Sequence, residues 1–539
     1  MTSSHSRRQF LSRGGILAGG TALNGSLVLS GCGGADYIAQ PSPAVVVSDA
    51  ERPKLPSGIQ FGDVTSGNAV VWSRSDRNAL MVVEYDTSER FANPNRVQGP
   101  LATEATDFTS RIDLTGLPAG QTMFVRVRYL DPNDGRIASE TVSGQFRTKP
   151  AADGRQPVRF HWSGDNAGQG WGINPDFGGV RMYETMRKRD PDFFIHNGDT
   201  VYADGPIVAE AKAENGQIWK SLVTEEVSKV AETLKEFRGR HAYNTLDANF
   251  RKFAAQVPQL WQWDDHEVTN NYSGSKDLSA DARYKEKSIA TLAERGRRAF
   301  LEYAPMRYYK QDEPQRIYRA LAYGPLLDVF VLDMRSYRGP NSANLQTVEN
   351  GASAILGTAQ VDWLIAQLKA SKATWKVVSA DMPIGLQVAD GVDADGKPRW
   401  EAVANGNDGA PSGRELEIAR LLRAIKDVKN VVWITTDVHY CAAHFYDPGK
   451  AAFTDFSPFW EFVAGPINAG SFGPGKLDMT FGPTEVFAKW PAVQNSSPFA
   501  GFQFFGEVNI DPQSKAMTVA LIDLNGVTQF SKSLAPAGV

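Results

Sequence analysis

Hydrophobic and polar positions alternate with a two-residue period over much of residues 59–148. The runs NAVVWSRS, ALMVVEYD, DFTSRIDL, TMFVRVRYLD and ASETVSGQFRT are rich in β-branched and aromatic residues, and turn residues separate them. Alternation of this kind is typical of half-buried β-strands. The pattern therefore predicts an all-β domain, to which we assign residues 55–150.

The pattern changes after TKPAADGRQP, where continuous apolar runs begin to alternate with amphipathic segments. The runs VRFHWS, DFFIHN, TWKVVS and NVVWITT predict buried strands, whereas GVRMYETMRKRD, TAQVDWLIAQLKAS and SGRELEIARLLRAIKDV predict helices. The last helix carries Ser412 and Glu415 at the spacing of a capping box. Residues 501–530 predict two strands joined by a turn and then a third strand. Alternating strands and helices predict a layered α/β domain over residues 155–539.

The first 31 residues predict an export signal instead of a folded element. Arg7 and Arg8 precede a weakly apolar stretch, as in twin-arginine signals. Three glycines and Asn24 interrupt this stretch, which spans Ile16 to Leu29, so it is too weak for a membrane span. The following LSGC resembles a lipobox, which would make Cys32 a lipidated mature N-terminus; a plain signal cleaved near Ala35 is the alternative. Residues 32–54 are rich in Gly, Ala and Pro and predict a tether.

Composition narrows the possible partners. Among 539 residues, 42% are apolar, which suffices for sizeable cores, and only two are cysteines, Cys32 and Cys441. Lipidation of Cys32 would leave no internal disulfide. The formal charge of −4 and the lack of a Lys/Arg block argue against nucleic-acid binding. We expect membrane contact through the lipid anchor only, and the sequence leaves the oligomeric state open.

Four predicted strands end in polar residues. These residues are Asp165 after the first strand, Asp199 and Tyr202 in GDTVY, the run from Asp264 to Glu267 with Asn270 and Asn271 in WDDHEVTNNY, and Asp437 with His439 in TDVHY. Ligands of α/β sheets bind beyond the carboxyl ends of strands. Because crowded carboxylates repel one another unless a cation neutralises them, the set predicts a metal site. Oxygen ligands favour hard ions such as Ca²⁺, Mg²⁺, Mn²⁺ or Fe³⁺.

In their order and spacing, these segments resemble the metallophosphoesterase signature. The variant WDDHEVTNNY, with GDTVYADG before it and TDVHY after it, is similar to the PhoD-type alkaline phosphatase family. LDMRSYRGP followed by ILGTAQVDWL also resembles that family, and the similarity covers roughly residues 55–535. It implies an α/β fold with a layered αββα metallophosphoesterase-type domain. LTGLPAGQTMFVRVRY resembles a fibronectin type III or immunoglobulin-like β-sandwich, which would precede that domain.

The resemblance also implies roles for individual residues. Metal ligands would be Asp165, Asp199 and Tyr202 for a first metal, Asp199 and Asp265 for a second, and Asp437 and His439 to complete the shell. His266 would act as general acid or phosphate ligand, and the amide oxygen of Asn271 would bind a hard cation or the phosphate. The family implies Fe³⁺ with Ca²⁺, and Zn²⁺, Mn²⁺ or Mg²⁺ remain open. The implied chemistry is attack of a metal-activated hydroxide on phosphorus.

The chain departs from the family pattern at two places. Asp165 stands where well-known relatives often place a Cys, which leaves the first metal open. The late GHxH segment of broader metallophosphoesterases is missing, and HYCAAHF offers His439 and His444 at another spacing. We expect His444 to be structural and Cys441 to be a buried, inert thiol.

These observations predict an exported phosphoesterase, either periplasmic, anchored at the cell surface as a lipoprotein, or secreted. Its substrate would be a small or polymeric phosphomonoester or phosphodiester. The alternatives are a phospholipase D-like phosphodiesterase, a non-catalytic surface-anchored binding protein, and an iron enzyme of redox chemistry. A nearly complete ligand set favours the phosphoesterase.

Overall fold

The computed structural model describes residues 47–307 and 315–538. The predicted signal peptide, Cys32 and most of the predicted tether lie outside these residues. None of the described helices combines the length and apolarity needed to cross a bilayer.

Residues 55–150 form two β-layers around one core. Their strands are β1 Ile59–Gly62, β2 Ala69–Arg74, β3 Ala79–Asp86, β4 Asn95–Ala102, β5 Thr109–Leu114, β6 Thr122–Leu130 and β7 Val142–Arg147. One layer is a sheet of order β4-β3-β6-β7, and the other consists of β1, β2 and β5. In β6, alternate residues from Met123 to Tyr129 are buried, as the two-residue period predicted. The sequence analysis missed β4, because Gly99 and Pro100 interrupt its pattern.

The remainder of the chain alternates strands and helices. Its strands are β8 Val158–Ser163, β9 Phe193–Asn197, β10 Glu210–Lys212, β11 Ile218–Lys220, β12 Gln259–Gln262, β13 Arg319–Tyr323, β14 Leu327–Val331, β15 Trp375–Ser379, β16 Leu386–Gln387, β17 Ala389–Val392, β18 Pro398–Trp400, β19 Val431–Thr435, β20 Cys441–Tyr446, β21 Phe459–Val463, β22 Lys476–Leu477, β23 Pro483–Lys489, β24 Phe504–Ile510, β25 Met517–Asp523 and β26 Thr528–Leu534. Its α-helices are α1 Arg181–Arg187, α2 Leu234–Asn244, α3 Ala248–Ala254, α4 Ile289–Tyr303, α5 Thr358–Ala370 and α6 Glu415–Ala424. Short 3₁₀ helices span Glu104–Thr106, Pro175–Phe177, Met479–Phe481 and Pro498–Ala500.

Two sheets and two helical layers make a four-layer αββα arrangement, which confirms the predicted fold class. The large sheet has nine strands in the order β26-β25-β24-β8-β9-β12-β1-β2-β5, and the second sheet has seven in the order β13-β14-β15-β19-β21-β20-β23. Side chains of both sheets share one core, which includes Trp162, Ile195, Val377 and Phe462. Helices α1 to α4 pack on the outer face of the large sheet and α5 and α6 on that of the second.

The continuous apolar run of β9 follows from this layering. Phe193 and Ile195 pack into the core between the sheets, whereas Phe194 packs into the core beneath α1 to α4. A strand covered on both faces needs apolar residues at every position. Its first polar side chains therefore come where the strand ends.

The start of α6 corrects one prediction. Arg414 is the N-cap of the helix, and no side chain caps it. Ser412 makes only half of a capping box, because its N–H donates to the Glu415 carboxylate at 3.1 Å while its hydroxyl donates to the backbone oxygen of Asn344. The complete capping box of the chain's described part lies instead at α2, between Thr233 and Glu236.

The large sheet runs through the predicted domain boundary. Gly62 of β1 pairs in parallel with Gln259 of β12, so β1, β2 and β5 extend the sheet that contains β8 and β9. A Cβ at Gly62 would lie 1.9 Å from the backbone oxygen of Pro305, so this approach requires glycine. The buried ion pair between Arg319 and Asp63, at 2.9 Å, also joins the two regions.

Candidate metal centre

The four predicted polar strand ends meet at one edge of the sheets. Strands β8, β9 and β12 run parallel in the large sheet, and β19 runs parallel to its neighbours in the second sheet. Their carboxyl ends carry Asp165, Asp199, Asp265 and Asp437, respectively. The candidate site therefore lies across both sheets at their carboxyl edge, where the α/β rule places ligands.

Five of the eight residues predicted for the site have a left-handed backbone. The φ values are 63° for Asp165, 48° for Asp199, 53° for Asn271, 70° for Asp437 and 57° for His439. Residues other than glycine rarely adopt φ above zero, and such strain is concentrated at functional sites. The chain thus turns sharply directly after β8, β9 and β19, and these turns direct the side chains toward one another.

Two glycines make room for two of these side chains. A Cβ at Gly465 would lie 2.2 Å from Oδ2 of Asp165, and a Cβ at Gly168 would lie 2.1 Å from the ring of Tyr202. Any other residue at either position would displace a predicted ligand.

A first group of possible ligands contains Asp165, Asp199 and His439, whose ligand atoms all lie within 4.8 Å of one another. The Tyr202 hydroxyl lies 2.8 Å from Nε2 of His439, and Oδ1 of Asp165 lies 3.9 Å from the same nitrogen. Nδ1 of His439 contacts the backbone oxygen of Gly470, which fixes the tautomer and leaves Nε2 free for a metal. Burial lowers the pKa of His439 to about 4, so the ring is neutral, as a ligand must be.

A second group of possible ligands shares Asp199 with the first. It contains Asp199, Asp265 and His266, again with ligand atoms within 4.8 Å of one another. A carboxylate common to two groups can bridge two cations, which is the role predicted for Asp199.

The buried carboxylates fit a cation. Neither carboxylate oxygen of Asp165 has a hydrogen-bond partner among the described residues, and neither has Oδ1 of Asp265. Burial raises the pKa of Asp165 and of Asp199 well above the usual range, and the neighbouring carboxylate of Asp265 raises both further. Buried carboxylates without donors are costly unless a cation neutralises them. These oxygens, with one neutral imidazole and one phenol, suit hard metal ions.

The four residues of the run from Asp264 to Glu267 have four different partners. Asp264 pairs with Arg335, and Asp265 belongs to the second group of possible ligands, with Asp199 and His266. His266 pairs through Nδ1 with Asp204, at 2.6 Å. Glu267 accepts the N–H and the hydroxyl of Thr200, at 2.7 and 2.6 Å, and thereby connects the ends of β9 and β12. Only one of the three acids in this run is therefore available to a metal.

Sequence reasoning missed Asp204, although it lies in the segment GDTVYADG. Its carboxylate contacts His266 and accepts the N–H of Asn270 at 2.9 Å. Burial raises the pKa of Asp204, but the charge and hydrogen bond of His266 and the N–H of Asn270 together outweigh burial and lower that pKa to about 2. Burial alone would lower the pKa of His266, but Asp204, Asp265 and Asp199 raise it well above its ordinary value. The sequence signal that could have identified Asp204 is its position, as an acid five residues after Asp199 in the same segment.

Sequence reasoning also missed Arg335, the fully buried arginine of LDMRSYRGP. Nε donates to Asp264 at 2.6 Å and to Asp381 at 2.8 Å, and Nη1 pairs with Glu401. Nη2 lies 3.5 Å from Asp437 and 3.9 Å from Asp265. Arg335 therefore supplies a positive charge beside Asp264, Asp265 and Asp437, whose carboxylate oxygens also lie within 4.8 Å of one another.

The expectations for His444 and Cys441 are confirmed. His444 is buried and contacts the Glu461 carboxylate at 3.0 Å, so its role is structural. Cys441 is fully buried, and burial raises the pKa of its thiol, which makes it unreactive.

Comparisons with known proteins show which family the chain matches. The model of the family described as PhoD-like phosphatase matches residues 160–521, and that of the PhoD-like phosphatase N-terminal domain matches residues 40–150. Alkaline phosphatase D of Bacillus subtilis (strain 168) is 26% identical over 475 residues, which cover 83% of this chain and 74% of that protein.

Two solved structures show the same fold. The structure of PhoD has a TM-score of 0.66 at 20% identity and covers 92% of this chain and 94% of that one. The purple acid phosphatase PPD1 from yellow lupin seeds has a TM-score of 0.54 at 13% identity and covers 90% of this chain and 74% of that one. Because the PhoD-like phosphatase model matches most of its length, the chain belongs to the PhoD-like phosphatase family and is a phosphoric ester hydrolase.

Proposed function

We propose that the chain hydrolyses phosphate esters with metal ions held by the residues at the carboxyl edge of the two sheets. Asp165, Asp199, Tyr202 and His439 would hold one ion, and Asp199, Asp265 and Asp437 would hold another. The unpartnered, buried carboxylate oxygens of Asp165 carry this proposal. When bound, the ions supply Lewis acidity toward the ester and toward water.

His266 is the residue that moves a proton. Its Nδ1 is paired with Asp204, and the surrounding carboxylates keep the ring protonated, which leaves the Nε2 proton for the oxygen of the leaving group. Its ring lies against that of Tyr202, with centroids 4.3 Å apart, and this contact fixes the plane of the imidazole. Asp204 is thus a positioning residue for the general acid.

Fe³⁺ and Ca²⁺ are the metal pair we propose, because carboxylate and phenol oxygens favour hard cations. Zn²⁺, Mn²⁺ and Mg²⁺ are the alternatives that metal analysis distinguishes. The substrate is a phosphomonoester, a phosphodiester or both. We also propose twin-arginine export, lipidation of Cys32 and a location outside the cytoplasm, from the sequence of residues 1–32.

The test is hydrolysis of p-nitrophenyl phosphate and bis-p-nitrophenyl phosphate at alkaline pH by the full chain from an export-competent host. Metal content is measured by mass spectrometry on the same sample, with and without chelator and added Ca²⁺. Asp199→Ala is compared with Asp153→Ala, which alters an exposed acid. We expect chelator-sensitive turnover that Asp199→Ala abolishes and Asp153→Ala retains, and the ratio of the two rates identifies the preferred ester.

Other outcomes favour the alternatives. A metal-loaded protein that hydrolyses neither ester favours a narrow substrate such as a phospholipid diester. A metal-free, inactive protein contradicts the proposal and favours a surface binding protein. For the anchor, Cys32→Ser is expected to release the protein from membranes, and a chain that stays soluble without the substitution contradicts lipidation.

A further inference from the structure

We propose that Asp390, on the hairpin formed by β17 and β18, is a positioning residue that orients the carboxamide of Asn271. This inference rests on the proposed function, in which Asn271 belongs to the site. Neither the sequence motifs nor the family resemblance gave Asp390 a role.

The backbone of Asn271 is held on both sides. Its left-handed conformation lets its N–H donate to the Asp265 carboxylate, and its carbonyl oxygen accepts from Nδ2 of Asn341 at 3.0 Å. The Cα of Asn271 is thus fixed beside a proposed metal ligand, and only the side-chain torsions remain to be set.

The hairpin sets those torsions. Nδ2 of Asn271 donates to Oδ1 of Asp390 at 2.9 Å and to the backbone oxygen of Ala389 at 3.3 Å. Both partners are acceptors only, so the nitrogen and not the oxygen of the amide must face them. These two bonds use both amide protons and fix the plane of the carboxamide, which leaves Oδ1 to accept from a ligand or bind a cation.

Asp390 is itself held by several groups. Its Oδ2 accepts from Nδ2 of Asn341 at 2.9 Å, and Nζ of Lys276 lies 3.6 Å from its Oδ1. Oδ1 of Asn341 accepts from the buried Arg414 at 2.8 Å. The carboxylate therefore has one orientation, and Asn271, Asp390 and Asn341 form a closed ring of hydrogen bonds.

Both ends of the hairpin contact the site, while its middle is exposed. Ala389 and Asp390 bind Asn271 at the start of the hairpin, and Glu401 pairs with Arg335 directly after it. Between them, Val392 is 58% exposed. A bulky ester group that contacts the exposed hairpin would thus affect Asn271 through the Asp390 carboxylate. The hairpin is therefore a candidate element for selecting between substrates.

The test is a double-mutant cycle on the full chain with the nitrophenyl ester that the wild type hydrolyses faster. We expect Asp390→Ala to lower kcat/KM about 10- to 100-fold, in the range typical of residues that orient ligands. Asn271→Ala is expected to lower it at least as much, and the double variant to match Asn271→Ala within about twofold, because the two residues act as one unit. Asp395→Ala, at an exposed position of the same hairpin, should leave kcat/KM unchanged.

Several outcomes would overturn the proposal. Asp390→Ala with wild-type kcat/KM would do so, as would a double variant in which the two losses multiply, since Asp390 would then act independently of Asn271. Thermal unfolding and metal content of each variant separate misfolding from a local effect. Asp390→Asn keeps one acceptor oxygen, and we expect an intermediate loss.

A wild-type protein without chelator-sensitive turnover would contradict the proposed function but not the orientation of Asn271. A crystal structure of Asp390→Ala then decides the matter. We expect the Asn271 amide to rotate, and an amide that stays in place without Asp390 contradicts the inference.

Discussion

Two groups of buried carboxylates lie side by side beyond the strand ends, and they differ in where their positive charge comes from. Asp264, Asp381 and Glu401 surround the guanidinium of Arg335. Asp165 and Asp199 have His439 and Tyr202 beside them, and His439 is neutral. The chain supplies an arginine to the first group, whereas among the described residues no arginine or lysine pairs with Asp165 or Asp199, which leaves these carboxylates to bind cations from solution.

The difference shows that a count of buried acidic residues overestimates the number of metal ligands. All these aspartates lie in similar sequence contexts, directly after apolar strands, and all are buried. What separates them is a single arginine distant in sequence. The Arg335 guanidinium pairs with the first group, and it also places a fixed positive charge beside Asp437 and Asp265, two of the ligands proposed for the second metal ion.

The largest effect is expected for Asp199, the carboxylate that the first and second groups of possible metal ligands share. Asp199→Ala should lower kcat/KM at least about 10³-fold, roughly 4 kcal/mol, because both proposed ions lose a ligand. The measurement is steady-state hydrolysis with bound metal counted per chain. Equal metal content and a loss below tenfold would contradict the bridging role.

The next effect concerns the carboxylates that surround Arg335. Arg335→Met should lower the free energy of unfolding by about 3–5 kcal/mol, because Asp264, Asp381 and Glu401 would remain buried without their cation. Urea unfolding in chelator measures it. Arg423→Met is the matched control, since Arg423 is 58% exposed and pairs with Asp455 at the surface, where the loss should be about 0–1 kcal/mol.

Removing the charge of Asp165, with which no arginine or lysine pairs among the described residues, should change the free energy of unfolding in the opposite direction. We expect Asp165→Asn to raise the free energy of unfolding of the metal-free protein by about 1–2 kcal/mol at pH 8, because an unpartnered buried carboxylate disappears. The pKa of Asp165 is raised in the folded protein, so the carboxyl takes up a proton as pH falls and the gain shrinks. Excess metal should reverse the sign, and a destabilised metal-free variant would contradict the comparison.

The last expected effect concerns a buried cation outside both groups. Lys149 donates to the backbone oxygen of Ala322 at 3.0 Å, and burial lowers its pKa to about 7. Between pH 7 and its unfolded value near 10.4, the unfolded chain keeps the proton that the folded chain has lost, so stability should rise with pH. The contribution has a slope of at most about 1.4 kcal/mol per pH unit, and it should vanish in Lys149→Met. Urea unfolding from pH 6 to 9 measures it, and identical pH profiles would contradict the lowered pKa.

The order of apolar and polar residues along the chain predicted the features that depend on neighbouring residues. The strand ends with Asp165, Asp199, Asp265 and Asp437 stood out because each follows an apolar run, and the structure brings all four together. The three strands predicted for residues 501–530 appear as β24, β25 and β26. Helices α2, α3 and α4 were not predicted; on α2 the polar residues outnumber the apolar ones and conceal its periodicity, whereas α4 is amphipathic and its pattern was overlooked.

Pairings between distant segments were not predictable in this way. Arg335 meets Asp264 and Glu401 across 71 and 66 positions of sequence, and nothing in LDMRSYRGP distinguishes a buried arginine from an exposed one. Asp204 and His266 are 62 positions apart. Such contacts depend on sheet order, which a single sequence does not contain.

The parallel pairing of β1 with β12 has a consequence for how the protein can be divided. Without residues 55–150, the large sheet would end at β12, and the N–H and C=O groups on that side would have no partner strand. An open edge of this kind is a template on which other chains add strands. The N-terminal strands thus cover this edge of the catalytic sheet, and a protein cut at residue 150 would expose it.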